Sequence, residues 1–323
     1  MQPAVRVVAL GGGHGLAASL AALRLVTDDL TAVVTVADDG GSSGRLRREF
    51  GCLPPGDLRM ALAALCGDDE WGRLWSRVVQ HRFDGSGPPT HASLDGHAVG
   101  NVLIVALWQL LGDPVEGLDY VGRLLGAHGR VLPMSLDPID IEADVRLPGQ
   151  PELTRVRGQV EVATTTGQVV GIHLAPETPV ACPEAVAALD EADWIVLGPG
   201  SWFTSVLPHL LVPGLRAAIT RSKARRVVAL NLAAQAGETT GFTPEQHLEV
   251  LAAHAPELAL DVVLADVGMV SDPARLESVA KTFGAELVLA DVAAEDGSPR
   301  HDPQRLAAAY AALLGDGRIP PWR

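Results

Sequence analysis

Ala37-Asp38-Asp39-Gly40-Gly41-Ser42-Ser43-Gly44-Arg45-Leu46-Arg47 combines paired carboxylates, a run of small residues and two guanidinium groups directly after an apolar strand. Carboxylates accept hydrogen bonds from ribose or sugar hydroxyls, or hold a hard cation, while bare amides and arginines suit phosphate. A second glycine cluster, Gly11-Gly12-Gly13-His14-Gly15, lies one helix earlier, and Gly198-Pro199-Gly200-Ser201-Trp202-Phe203-Thr204-Ser205 forms a third such turn with three hydroxyls. Each turn puts unpaired N–H groups at the start of a helix, where the dipole favours an anion. Together they outline a nucleotide or sugar-nucleotide site.

The candidate ligand contacts are therefore Gly12, Gly13, His14 and Gly15 in the first turn, and Asp38, Asp39, Ser42, Ser43 and Arg45 in the second. Gly198, Gly200, Ser201 and Thr204 follow in the third turn, and Asn231, Gln235 and Glu238 in a later loop can make bidentate contacts to a base or sugar. Asp57 follows Leu53-Pro54-Pro55-Gly56 and reads either as the N-cap of a helix over 58–65 or as a ligand contact. Gly100, beside Asn101 in an apolar helix, marks a close approach of backbone or ligand, and Asn101 joins the candidates. Asp38, Asp39 and Asp57, with His97 and Asp302, could place one magnesium ion between phosphates. There is no HExxH or CxxC pattern for a built-in zinc site.

A βαβ unit must carry these groups. Val5 to Leu10 reads as a buried strand, Leu16, Leu20 and Leu23 recur at helical spacing, and Thr31 to Val36 is β-branched. Asp38 then stands where acidic residues of dinucleotide folds accept a ribose hydroxyl. Leu16, however, occupies the place of the third glycine of G-x-G-x-x-G, which argues against a nicotinamide-dependent oxidoreductase. Further apolar strands are expected at Trp194–Leu197, Arg226–Leu230, Asp261–Ala265 and Glu286–Ala290, alternating with helical segments. The expectation is an α/β, Rossmann-like, mostly parallel doubly wound sheet. From Asp140 to Leu174 the period changes: Val156, Val160 and Val162 alternate with Arg157, Gln159 and Glu161, which reads as an antiparallel β insertion. Six polar loops, including Asp266-Val267-Gly268 and Arg300-His301-Asp302, follow strands and should converge at one edge of the sheet.

With 323 residues, 47% of them hydrophobic, the chain can bury a large core, and no linker divides it, so residues 1–323 read as one domain with the insertion at 140–174. A net charge of −14 argues against a nucleic-acid surface, although arginines 45, 47, 48 and 59 can hold an anion locally. Cys52, Cys66 and Cys182 lack metal-like spacing and read as core thiols of a reducing cytosol. No stretch reads as a signal peptide or a membrane span, so a cytoplasmic protein is expected.

The first glycine turn, the ADDGGSSGRLR run, Leu53-Pro54-Pro55-Gly56-Asp57-Leu58-Arg59, Gly96-His97 with Gly100-Asn101, Gly198-Pro199-Gly200-Ser201, Gln235 with Gly237-Glu238-Thr239, and Arg300-His301-Asp302 together resemble the gluconeogenesis factor family over nearly the whole chain. That family is similar in fold to 2-phospho-L-lactate transferase of deazaflavin cofactor biosynthesis. The resemblance implies a cytoplasmic UDP-sugar-binding regulator, with UDP-N-acetylglucosamine as ligand, that supports cell-wall precursor synthesis and cell shape during gluconeogenic growth. It also implies a homo-oligomer, a partner in the amidotransferase that makes glucosamine-6-phosphate, modification by a serine/threonine kinase, and a ligand contact at Arg300. No cofactor is required on this reading beyond magnesium accompanying the diphosphate. The alternative is a phosphotransferase resembling 2-phospho-L-lactate transferase, acting on a deazaflavin acceptor. Departures from the family pattern are His14 for threonine, Met60 for asparagine and Trp202-Phe203 for a Leu-Tyr pair, and an aromatic ligand contact has no counterpart near Ala280 to Phe283.

Overall fold

The computed structural model describes residues 4–84, 94–235 and 237–315. The chain runs β1 (Arg6–Gly11), α1 (Gly13–Leu23), β2 (Asp29–Val34), α2 (Gly41–Phe50), α3 (Gly56–Ala64), α4 (Glu70–Gln80), α5 (Val99–Leu111), α6 (Pro114–Leu125) and β3 (Arg130–Pro133). The insertion follows as β4 (Asp140–Arg146), β5 (Leu153–Arg157), α7 (Gln159–Ala163) and β6 (Gln168–Ala175). Then come α8 (Pro183–Glu191), β7 (Trp194–Leu197), a π-helical turn (Trp202–Val206), α9 (Pro208–Leu211), α10 (Pro213–Arg221) and β8 (Arg225–Ala229). Last are α11 (Pro244–His254), β9 (Val262–Asp266), α12 (Pro273–Thr282), β10 (Glu286–Ala290) and α13 (Pro303–Gly315).

Seven strands form one sheet in the order β10-β9-β8-β7-β1-β2-β3, with every neighbouring pair parallel. β7 and β9 are buried along their whole length, as a sheet covered on both faces requires. The chain leaves β1 through β2 to β3, then restarts on the other side of β1 and proceeds outward from β7 to β10. Right-handed crossovers in opposite directions put the two helix sets on opposite faces. The packing agrees: α1 lies against α3 and α13, whereas α8 lies against α10 and α11 against α12. The order therefore reverses between β1 and β7, and a crevice opens at their carboxyl ends. The expected α/β, doubly wound parallel sheet is present, together with an edge strand, β3, whose four residues gave no separate sequence signal.

β4, β5 and β6 form a separate antiparallel sheet in the order β5-β4-β6. β4 alternates half-buried and buried residues, so one face packs inward through Ile141, Ala143 and Val145. The strand pattern expected through Val162 stops at Arg157. Gln159–Ala163 instead make one helical turn, and Val162 turns into the core while Val160 stays exposed.

Other corrections are local. Asp57 is not an N-cap: α3 begins at Gly56, and Asp57 sits inside its first turn. Leu16 and Leu20 are buried on one face of α1, as their spacing requires. The sequence over 84–96 is rich in glycine and proline and reads as a loop before α5; most of it, residues 85–93, lies outside those described. Among the described residues, no helix is long and apolar enough to cross a membrane.

Candidate functional site

The first and third glycine turns meet backbone to backbone at the strand-order reversal. A Cβ on Gly15 would run into the carbonyl of Pro199 and the Cα of Gly200, so a side chain there would part the two loops. Asn231, after β8, locks this junction: its Oδ1 accepts from Gly200 N at 2.8 Å and its Nδ2 donates to Gly200 O at 2.8 Å. Thr35 ties in the π-helical turn by donating to Ser205 O at 2.8 Å. Around these turns lies a cleft of about 720 Å³, lined by Gly12, Gly13, His14, Gly15, Asp38, Asp57, Gly200, Ser201, Asn231, Gln235 and Arg300 among others.

Five of the six loops that follow strands reach this cleft. The Asp266-Val267-Gly268 loop does not. Asp266 instead accepts from Gly268 N, Val292 N and Ala293 N at 2.8, 2.9 and 3.1 Å, fixing the segment that leads to Arg300. Arg300 is exposed on the rim, where Asp296 holds its guanidinium at 2.8 Å. His301 is partly buried on the cleft wall, and burial keeps its imidazole below the ordinary value.

Two carboxyls form the cleft's charged corner. Asp38 accepts from Gly40 N at 2.9 Å and from the Ser43 hydroxyl, yet burial outweighs these bonds and raises its pKa. Asp57 is walled in beside Gly12 and accepts from the Gly13 amide at the start of α1. Burial first, then the neighbouring Asp38 charge, push it up to about 7. The amide end of α1 is thus shared with a carboxyl that still holds a proton near neutral pH.

A smaller hollow of about 210 Å³ adjoins the cleft through Asp38, Asp57 and Met60. Ser42, Ser43 and Asn101 line it, together with Arg59 and Arg82. Their side chains are linked: Asn101 Nδ2 donates to Ser42 Oγ at 3.0 Å, Ser42 Oγ meets His97 Nδ1 at 3.0 Å, and Gly56 N donates to Ser43 Oγ at 2.9 Å.

Several expected contacts are spent on the protein itself. Asp39 turns to the insertion and accepts from Val160 N at 3.1 Å at the start of α7. Arg45 donates to Asp95 O at 2.7 Å on the surface. Glu238 is buried, accepting from Phe203 N at 3.1 Å and from the Thr204 hydroxyl at 2.6 Å, so Thr204 and Glu238 brace the π-helical turn and do not line the cleft. Gly198 shapes the turn at φ +73° but does not line the cleft. The five-residue magnesium set is not assembled. Asp302 caps α13, accepting from Gln304 N and Arg305 N at 2.9 Å, and His97 is engaged with Ser42. Among the described residues no three His, Cys, Asp or Glu side chains cluster as a metal site, and only Asp38 and Asp57 remain as a pair.

Gln159 is a cleft residue that the sequence pattern placed in a strand. Met60 and the Leu232-Ala233-Ala234 stretch also line the cleft, and nothing in their residue types signals it.

Comparison with known proteins places this geometry. The sequence model described as 2-phospho-L-lactate transferase CofD matches residues 7–299. The chain is 53% identical over 307 residues to the Mycobacterium tuberculosis protein named "Putative gluconeogenesis factor", covering 94% of this chain and 88% of that one. It is 36% identical over 323 residues to the gluconeogenesis factor of Listeria monocytogenes, covering 96% and 95% of the two. The crystal structure of a UPF0052 family member from Bacillus halodurans superposes with a TM-score of 0.84 at 34% identity, covering 96% of this chain and 99% of that one. With the same switch-point fold and the glycine turns within the matched span, the chain belongs to the 2-phospho-L-lactate transferase CofD family, with gluconeogenesis factors as near relatives.

Proposed function

We propose that this protein is a cytoplasmic regulator that binds a UDP-sugar, UDP-N-acetylglucosamine, and adjusts cell-wall precursor supply and cell shape during gluconeogenic growth. One observation carries the reading: the switch-point cleft joins two glycine turns, an arginine on its rim, and a buried Gln235 Oε1 without a hydrogen-bond partner among the described residues. Turn amides and Arg300 suit a diphosphate. The free acceptor of Gln235 suits the N–H of a uracil ring, and Gln159 adds an amide for sugar hydroxyls. Arg300 has to share its guanidinium between Asp296 and the ligand.

Asp38 and Asp57 fit one magnesium ion whose remaining ligands are phosphate oxygens and water. Two crowded carboxyls, one of them holding its proton to about pH 7, are a pair whose repulsion a divalent cation relieves. Such an ion would neutralise diphosphate charge. Ser43 and the Gly40 amide hold the Asp38 carboxyl in place for this.

Calorimetric titration with UDP-N-acetylglucosamine tests the reading. Saturable binding near ~10 μM, about −7 kcal/mol, is expected, with no product formed. An Arg300→Ala protein should bind at least tenfold more weakly, since a charge-assisted bond is worth ~1.5–3 kcal/mol. No response to UDP-sugars refutes the proposal.

The carboxyl pair and the family match favour one second reading, a transferase resembling 2-phospho-L-lactate transferase. On that reading the same turns hold the nucleotide diphosphate and the smaller hollow admits the acceptor. Product formation from a deazaflavin acceptor and activated phospholactate would establish it.

A further inference from the structure

The smaller hollow contains a buried arginine that makes no direct ion pair among the described residues. Arg59 is only 4% exposed, and among the described residues no carboxylate lies within 4.0 Å of its nitrogens. Its Nε donates to Asn101 Oδ1 at 3.0 Å and its Nη1 to Gln80 Oε1 at 3.2 Å. Both acceptors are neutral amides. They orient the fork and satisfy two N–H groups; Asp57 and Asp38 offset the charge only through space, without a direct ion pair, and Nη2 makes no hydrogen bond within the described residues. Burying a charge is costly unless an opposite charge comes with it.

The fold makes room for this arginine. A Cβ on Gly100 would meet Arg59 Cγ at 2.8 Å, so the glycine in α5 lets the arginine stem lie across the helix. Arg82 lines the same hollow from outside, tethered by a bond from Nη1 to Gly96 O at 3.0 Å and likewise without an ion pair to a described carboxylate. The first turn of α2, with no acidic residue and no side-chain cap, also lines the hollow. Asp38 and Asp57 oppose an anion from the shared wall, so both guanidiniums are needed to hold one.

We propose that this hollow is a second anion subsite, separate from the glycine turns, in which Arg59 and Arg82 clamp the phosphate of a small phosphorylated metabolite. The protein then reads two anionic ligands, or two ends of one, across the Asp38–Asp57 wall. The inference goes beyond the UDP-sugar reading and does not depend on it.

Isothermal titration with inorganic phosphate at constant ionic strength, in the absence of nucleotide and magnesium, tests it on the full chain. Wild type should bind phosphate saturably in the millimolar range, and Arg82→Gln should weaken this at least tenfold. Arg221→Gln, a surface control outside both the cleft and the hollow, should stay within twofold of wild type. Arg59→Lys keeps the charge but loses the fork and should also bind more weakly; because Arg59 is buried, the exposed Arg82 variant keeps the test decisive if that protein does not fold. The proposal is overturned if wild type binds no phosphate, if Arg82→Gln binds like wild type, or if Arg221→Gln weakens binding as much as Arg82→Gln does. None of these results bears on whether UDP-sugars bind, so failure of either proposal is recognised separately.

Discussion

Asp57 is the residue whose chemistry depends most on its surroundings. Burial and Asp38 raise its folded pKa to about 7 from an ordinary 3.8, so the folded state retains a proton that the unfolded chain releases in between. Stability attributable to this group is therefore greatest below pH ~4 and falls as pH rises toward ~7, at up to ~1.4 kcal/mol per unit. An Asp57→Asn protein should gain Tm over wild type at pH 8 but not at pH 4. Equal shifts at both pH values would show that the carboxyl is not held protonated. The same variant should lose any stabilisation that magnesium gives the wild type. His209 works in the opposite sense. Its ring nitrogens face Val33 O at 3.0 Å and Val206 O at 3.3 Å, and burial lowers its pKa to about 4. The unfolded state takes up that proton first, so stability falls as pH drops from about 6.5 to about 4.

Between elements, the decisive contact is the seam where the turn after β1 meets the turn after β7. Alanine at position 15 would add up to ~1 kcal/mol of helix propensity to α1. The wedge against Pro199 and Gly200 should cost about 1–3 kcal/mol, so the strain wins. Gly15→Ala is expected to lower the denaturant midpoint and to abolish the proposed UDP-sugar binding; a midpoint above wild type would mean that the seam relaxes freely. Asn231→Ala removes both bonds to Gly200 and should cost about 1–2 kcal/mol, with weaker ligand binding although the side chain need not touch the ligand. The glycines themselves were legible in the sequence, because a backbone that approaches another backbone tolerates nothing else. Which polar groups line the cleft was not legible. Asp39, Thr204 and Glu238 carry the right atoms but spend them on α7 and the π-helical turn. Conversely, Gln159 enters the cleft only because α7 replaces the strand that its alternating neighbours suggest.

At the scale of the molecule, one apolar core joins the parallel sheet to the insertion: Ile141, Val145, Val162 and Ile172 belong to the same buried cluster as β1 and β7. Unfolding in urea should therefore be a single transition, with amides of residues 140–175 exchanging at the global free energy in native-state hydrogen exchange. Separate, easier opening of that segment would show an independent unit. By itself the sequence determined the α/β class, most strands of the parallel sheet, the antiparallel insertion and the three glycine turns. These follow from hydrophobic period and from backbone requirements that are local in the chain. Only the tertiary structure decided that strand order reverses between β1 and β7, that Asp57 presses on Asp38, and that Arg59 is buried across Gly100 with no direct ion pair to a described residue. Those facts arise from groups far apart in sequence sharing one low-dielectric space, where each polar atom's role depends on which partner reaches it first.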